Sequence, residues 1–135
     1  MLSFKQDEPR QYDSVAQQYS LEVLESNKES IEAYFQYFDV DSLNGKKLLD
    51  LGCGDGQDLF KFAGLGASIY GIDESREMVA LARTKNPNGV VEVAKFDTIP
   101  FADSSFDLVV SKWALQTADA IEPIYQEVER VLRPG

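Results

Sequence analysis

Apolar and polar residues follow two different periods along this chain, and the change of period divides it. Over residues 12–38, "YDSVAQQYSLEVLESNKESIEAYFQYF", apolar side chains recur every three or four positions: Val15, Tyr19 and Val23, then Ile31, Tyr34, Phe35 and Phe38. That spacing puts each group on one helical face, so the segment predicts two helices, or one helix broken at "ESNKES". Residues 1–11 are polar, contain Pro9 and predict a loose lead-in. After the turn residues "DVDSLNGK" the pattern changes to short apolar runs separated by helical stretches.

Four of these runs read as strands: "KKLLDL", "ASIYGID", "VVEVAKF" and "FDLVVSKW". The stretches "QDLFKFAGL", "SREMVALARTKN" and "AIEPIYQEVERVL" read as helices, the second with Ser75 as its N-cap and the third stopped by "RPG". Strands alternating with helices require right-handed crossovers and a parallel sheet covered on both faces. The expectation is an α/β fold, with residues 12–135 as one domain: N-terminal helices at 12–40 and the α/β core at 46–135.

Composition narrows the chemistry. A formal net charge of −10 argues against non-specific binding to nucleic acid or to an anionic membrane surface. The one cysteine, Cys53, rules out an intrachain disulfide and a cysteine-rich metal site. Histidine is absent, which removes the commonest metal ligand and general base. No metal site is expected, and neither zinc hydrolysis nor a Ser-His-Asp triad fits. The start "MLSFKQDEPRQYD" lacks an apolar signal core, and no apolar run is long enough to span a bilayer. A cytoplasmic location is the expectation.

The candidate chemistry sits in "LLDLGCGDGQD", residues 48–58. Glycines 52, 54 and 56 follow the first core strand, where doubly wound sheets bind ligands at the carboxyl ends of their strands. The dinucleotide spacing G-x-G-x-x-G is not met: the third glycine comes one residue early, and Gln57 stands at the helix-packing position. A Gly-Lys-Ser/Thr phosphate loop is absent too. Asp50, two residues before the first glycine, would repel a pyrophosphate and suits a ligand bearing a cation. Asp73 closes the second core strand about twenty residues on, where an acid accepts from both ribose hydroxyls of an adenosine ligand.

"LLDLGCGDG", "GIDESREMVALAR", "IPFADSSFDLVVSKWAL" and "EVERVLRPG" resemble, in order, the motifs of class I S-adenosylmethionine-dependent methyltransferases. The resemblance spans residues 10–135 and implies a Rossmann-like sheet of order 3-2-1-4 with S-adenosylmethionine as cofactor. It places Asp50 near the methionine amino group, with Gly52, Cys53, Gly54 and Gly56 packing against the methionine and ribose. Asp73 would hold the ribose. Glu74 stands where the family has an apolar residue over adenine, a departure that leaves its aliphatic stem and Met78 to cover the ring.

For the acid that meets the adenine amine two registers compete, one placing Lys95 and Phe96 there and the other Asp97. Asp97 is favoured because a carboxylate accepts from an amine and lysine cannot, with the amide of Thr98 or of Phe96 reading the ring edge. Ser111, Lys112 and Trp113 would border the cofactor, Trp113 being equally readable as a core aromatic. Gln116 stands where relatives carry histidine. Tyr12 and Tyr19 lie in a segment that resembles a cofactor lid, or else pack as an amphipathic helix.

The resemblance also implies further strands after "VLRPG", without which "FDLVVS" is an exposed apolar edge. Either the chain is a truncated form or self-association covers that edge. The reading is a methyltransferase acting on a small-molecule acceptor. The alternative is a non-catalytic S-adenosylmethionine-binding or self-associating module, with a nicotinamide-binding domain a distant third.

Overall fold

The computed structural model describes residues 2–4, 43–111 and 121–134. Five strands form one sheet: β1 (Leu2–Phe4), β2 (Lys47–Leu51), β3 (Ser68–Asp73), β4 (Val90–Val93) and β5 (Leu108–Ser111). Three helices accompany them: α1 (Gln57–Gly64), α2 (Arg76–Lys85) and α3 (Ile121–Val131). The sheet order is β1-β5-β2-β3-β4. Its parallel part, β4-β3-β2-β5, is the expected 3-2-1-4 arrangement of core strands.

Both faces of the sheet are buried at its central strands, β2 and β5, which is why these read as apolar runs and not as an alternation. All four residues of β5 are buried, as are Leu48 to Leu51 of β2. Neighbours along a strand point to opposite faces. Leu48, Ile69 and Val110 accordingly join Leu59 and Phe62 of α1 and Val79 and Ala82 of α2 in one core. Leu49, Ile72 and Val109 join Ile124, Val128 and Val131 of α3 in the other. Pro123 is tolerated in α3 because the first turn has no intrahelical use for its missing N–H.

Two features depart from the sequence reading. The segment 1–11 is more than a lead-in, because Leu2–Phe4 pairs antiparallel with β5 in the register Leu2↔Ser111, Ser3↔Val110 and Phe4↔Val109. The edge expected to lie exposed is therefore covered within the chain, since unpaired backbone groups on β5 are satisfied by any extended segment that reaches them. The third core strand is also shorter than "VVEVAKF", ending at Val93 before a turn closed by Thr98 N donating to Lys95 O (3.1 Å). The N-terminal helices expected over 12–40 fall outside the described residues. No helix among the described residues is long and apolar enough to cross a membrane.

Candidate functional site

Parallel pairing in register brings the carboxyl ends of β2, β3, β4 and β5 to one side of the sheet. Leu51 lies beside Ile72 on one flank and Ser111 on the other, and Asp73 lies beside Val93. The chain leaves β2 through the loop 52–56, whose entry and exit are fixed by backbone. Gly52 N and Cys53 N both donate to Ile72 O, at 2.8 and 3.0 Å, and Gly56 N donates to Cys53 O at 3.0 Å. Such sharp reversals place Gly52, Gly54 and Gly56 at φ of 80°, 56° and 86°, a region costly for other residues.

The three glycines serve different ends. A Cβ on Gly54 would meet nothing within 4 Å, so this position stands open. A Cβ on Gly56 would lie 2.6 Å from Asn86 Nδ2 and 2.9 Å from Ala82 Cα. Gly56 thus lets α1 start against α2, and its carbonyl accepts from Asn86 Nδ2 (2.9 Å) and Phe60 N (3.0 Å). The sequence reading gave Gly56 to the ligand and the helix-packing position to Gln57. In the structure the glycine that lets the helices pack is Gly56, and Gln57 is exposed at the start of α1.

Asp73 is the hinge of the site. Its Oδ2 accepts from Gly54 N (3.0 Å) and its Oδ1 from Ser75 N (2.9 Å), so one carboxylate braces the glycine loop and the turn into α2. Each oxygen keeps further lone-pair capacity for a ligand hydroxyl. Asp50 is buried at the end of β2, 2% exposed. The electrostatic effect of these acids is felt at the buried thiol between them. Burial first, then the charges of Asp50 and Asp73, push Cys53 from 9.0 up to about 12, so it stays a neutral thiol at ordinary pH. A third acid, Asp55, adds to that push and pairs with Lys85 Nζ at 3.4 Å.

The other expected residues divide. Glu74 is exposed and Met78 is 41% exposed, so both side chains stand open to solvent just beyond Asp73. Asp97 is exposed and its Oδ1 accepts from Thr98 Oγ1 (3.2 Å). The Thr98 amide is committed to its own turn, and the half-buried Phe96 ring packs on the α3-side core. Ser111 is fully buried and its hydroxyl donates to Leu51 O (3.0 Å), tying β5 to β2. Lys112, Trp113, Gln116, Tyr12 and Tyr19 lie outside the described residues.

Sequence reasoning missed two supports of the loop. A Cβ on Gly71 would lie 2.9 Å from Cys53 Sγ and 2.8 Å from Leu59 Cδ1, so this mid-strand glycine makes room for both. Asn86, 5% exposed, clamps Gly56 O from the end of α2, although "NPNG" signals only a turn.

A parallel sheet with helices on both faces and a glycine loop between two strand-end acids defines a Rossmann-like ligand-binding domain. The charged side chains at the two strand ends, Asp50 and Asp73, are both acids, which suits a cation or hydroxyls more than a pyrophosphate. The chain belongs to a methyltransferase family: the model of the methyltransferase domain matches residues 49–135. It is 36% identical over 89 residues to a malonyl-[acyl-carrier protein] O-methyltransferase of Enterobacter lignolyticus, covering 66% of this chain and 36% of that one. It is also 36% identical over 90 residues to a demethylmenaquinone methyltransferase of Chlorobaculum parvum, covering 66% and 37%. Among solved structures it resembles an S-adenosylmethionine-dependent methyltransferase from Mesorhizobium loti with a TM-score of 0.65 and 32% identity, over 69% of this chain and 44% of that one. The PH0226 protein of Pyrococcus horikoshii matches with a TM-score of 0.66 and 27% identity, over 90% and 52%. The chain therefore spans well under half the length of these two curated relatives.

Proposed function

We propose that this domain binds S-adenosylmethionine and that the protein uses it to methylate a small-molecule acceptor. The observation that carries this reading is the pair of acids around the glycine loop, above all Asp73, oriented through both oxygens by backbone amides. Asp73 would accept from the ribose hydroxyls, and Asp50 would answer the ammonium of the methionine part. The open space at Gly54 would take the ligand where a side chain would block it. The cofactor supplies an electrophilic methyl on a cationic sulfur. The chain's own contribution is then to bind, orient and exclude water, and neither acid has to move a proton. Two curated relatives are named for malonyl-[acyl-carrier protein] and for demethylmenaquinone; the second supports a small-molecule acceptor, and the first an oxygen acceptor on an acyl group held by a carrier protein.

Calorimetric titration tests the reading. S-adenosylmethionine and S-adenosylhomocysteine are expected to bind and NAD not to; failure of the first two would refute it. Asp73→Asn keeps one carbonyl acceptor for the backbone but loses the charge shared with the ribose. S-adenosylhomocysteine should bind it about tenfold more weakly, the worth of one good hydrogen bond. Unchanged affinity would remove Asp73 from the ribose.

A further inference from the structure

Asp97 is exposed, yet the short segment that carries it is held at both ends. At its near end Ala94 N donates to Asp73 O (3.1 Å), which ties the segment to the carboxyl end of β3. At its far end both backbone groups of Ile99 are taken by α3: Ile99 N donates to Glu127 Oε2 (2.8 Å) and Ile99 O accepts from Arg130 Nη2 (2.9 Å). Arg130 also donates through Nη1 to Phe101 O (2.9 Å) and Asp103 Oδ1 (2.8 Å). Its Nε and Nη2 donate to Glu127 Oε1 and Oε2, at 2.8 and 2.9 Å, in a two-point fork. All five guanidinium N–H groups are thereby used, an arrangement that the single ammonium of lysine cannot reproduce.

The binding roles proposed above make no use of these contacts. Their geometric effect falls on residues 95–98, because a backbone pinned at Ala94 and Ile99 leaves a one-turn segment few conformations. We infer that the Glu127–Arg130 pair is a positioning device for nucleobase recognition: it fixes the Asp97 carboxylate so that the site separates a 6-aminopurine from a 6-oxopurine. The inference rests on the S-adenosylmethionine reading and on Asp97 as the acid facing the base. Arg130 and Glu127 touch no ligand; they act through Ile99.

The test is the ratio of affinities for S-adenosylhomocysteine and S-inosylhomocysteine, which carries a carbonyl oxygen where adenine has its amine. The unaltered chain should prefer the adenosyl ligand about tenfold, and Arg130→Ala should reduce that preference to about twofold or less. Arg130→Lys, which keeps the charge but loses the fork, should behave like the alanine variant and serves in its place where that variant does not fold. Glu127→Gln still offers an oxygen to Ile99 N and should retain most of the preference. A ratio unchanged in the Arg130 variants, with both affinities falling by one factor, overturns the inference and leaves the cofactor reading standing. Equal binding of both ligands by the unaltered chain overturns it through Asp97. No binding of either ligand by the unaltered chain overturns the cofactor reading, and the clamp with it.

Discussion

The glycine loop and the loop between β4 and β5 differ in what mainly holds them. The glycine loop, 52–56, is fixed mainly by backbone hydrogen bonds and close packing, with two amides on Ile72 O, a Gly56 carbonyl clamped by Asn86 and no room for a Cβ against Ala82, and the Asp73 carboxylate adds one brace at Gly54 N. The loop between β4 and β5 is fixed by charge, through one guanidinium, two carboxylates and the carbonyls of Ile99 and Phe101. Its apolar help is an edge-to-face triangle of Tyr70, Phe101 and Phe106 with centroids 5.1 to 5.7 Å apart. Backbone and packing restraints do not titrate. Ion pairs do, and the side chains of Arg130 and Glu127 are partly open to solvent. The first loop should fail by steric damage, and the second by loss of charge.

The largest effect expected is at Gly56. Gly56→Ala puts a methyl 2.6 Å from Asn86 Nδ2 and 2.9 Å from Ala82 Cα at a φ of 86°. Overpacking and a left-handed alanine together should cost about 3 kcal/mol, read as a shift of the urea midpoint at unchanged slope. Gly54→Ala is the contrast within the same loop. It shares the left-handed backbone, at φ 56°, but meets no neighbour, so stability should fall by only about 1 kcal/mol. Its effect should instead be on the ligand, with S-adenosylhomocysteine binding weakened tenfold or more as the methyl enters the open space. Equal destabilisation by the two variants would mean that the packing distinction is wrong.

That contrast also marks what the sequence could reveal. The strands at 47–51, 68–73 and 108–111 were legible because burial on both faces makes continuous apolar runs, and Ser75 as N-cap is seen in Met78 N donating to Ser75 Oγ at 3.2 Å. Spacing alone placed three glycines at a strand end but could not say which stands open and which packs against a helix, since that depends on where α2 packs. Leu2–Phe4 was illegible because a three-residue strand has no period, and its partner lies more than a hundred residues away. The Arg130 clamp escaped for the same reason: "EVERVLRPG" reads as an amphipathic helix with surface charges, and only the fold carries Ile99 to it. Local pattern fixes elements; braces between distant segments need the tertiary arrangement.

The smallest expected effect separates the loops by pH. Hydrogen bonding from Arg130, ahead of all other causes, holds Glu127 below its usual 4.5. The unfolded chain then binds the proton more readily than the folded one, so this pair's stabilisation is complete above about pH 4.5 and is lost as pH falls through the folded value. Glu127→Gln should remove less than about 1 kcal/mol at neutral pH, as expected for a partly exposed pair, and should flatten the acid limb of the stability curve below pH 4.5. Gly56→Ala should lower the whole curve without changing that limb, because nothing it disturbs titrates there through Glu127. Urea melts of the two variants from pH 3 to 7 make the comparison. An acid limb unchanged in Glu127→Gln would mean that the loop between β4 and β5 is held by Phe101 and its aromatic neighbours, and that the charge on α3 contributes little to it.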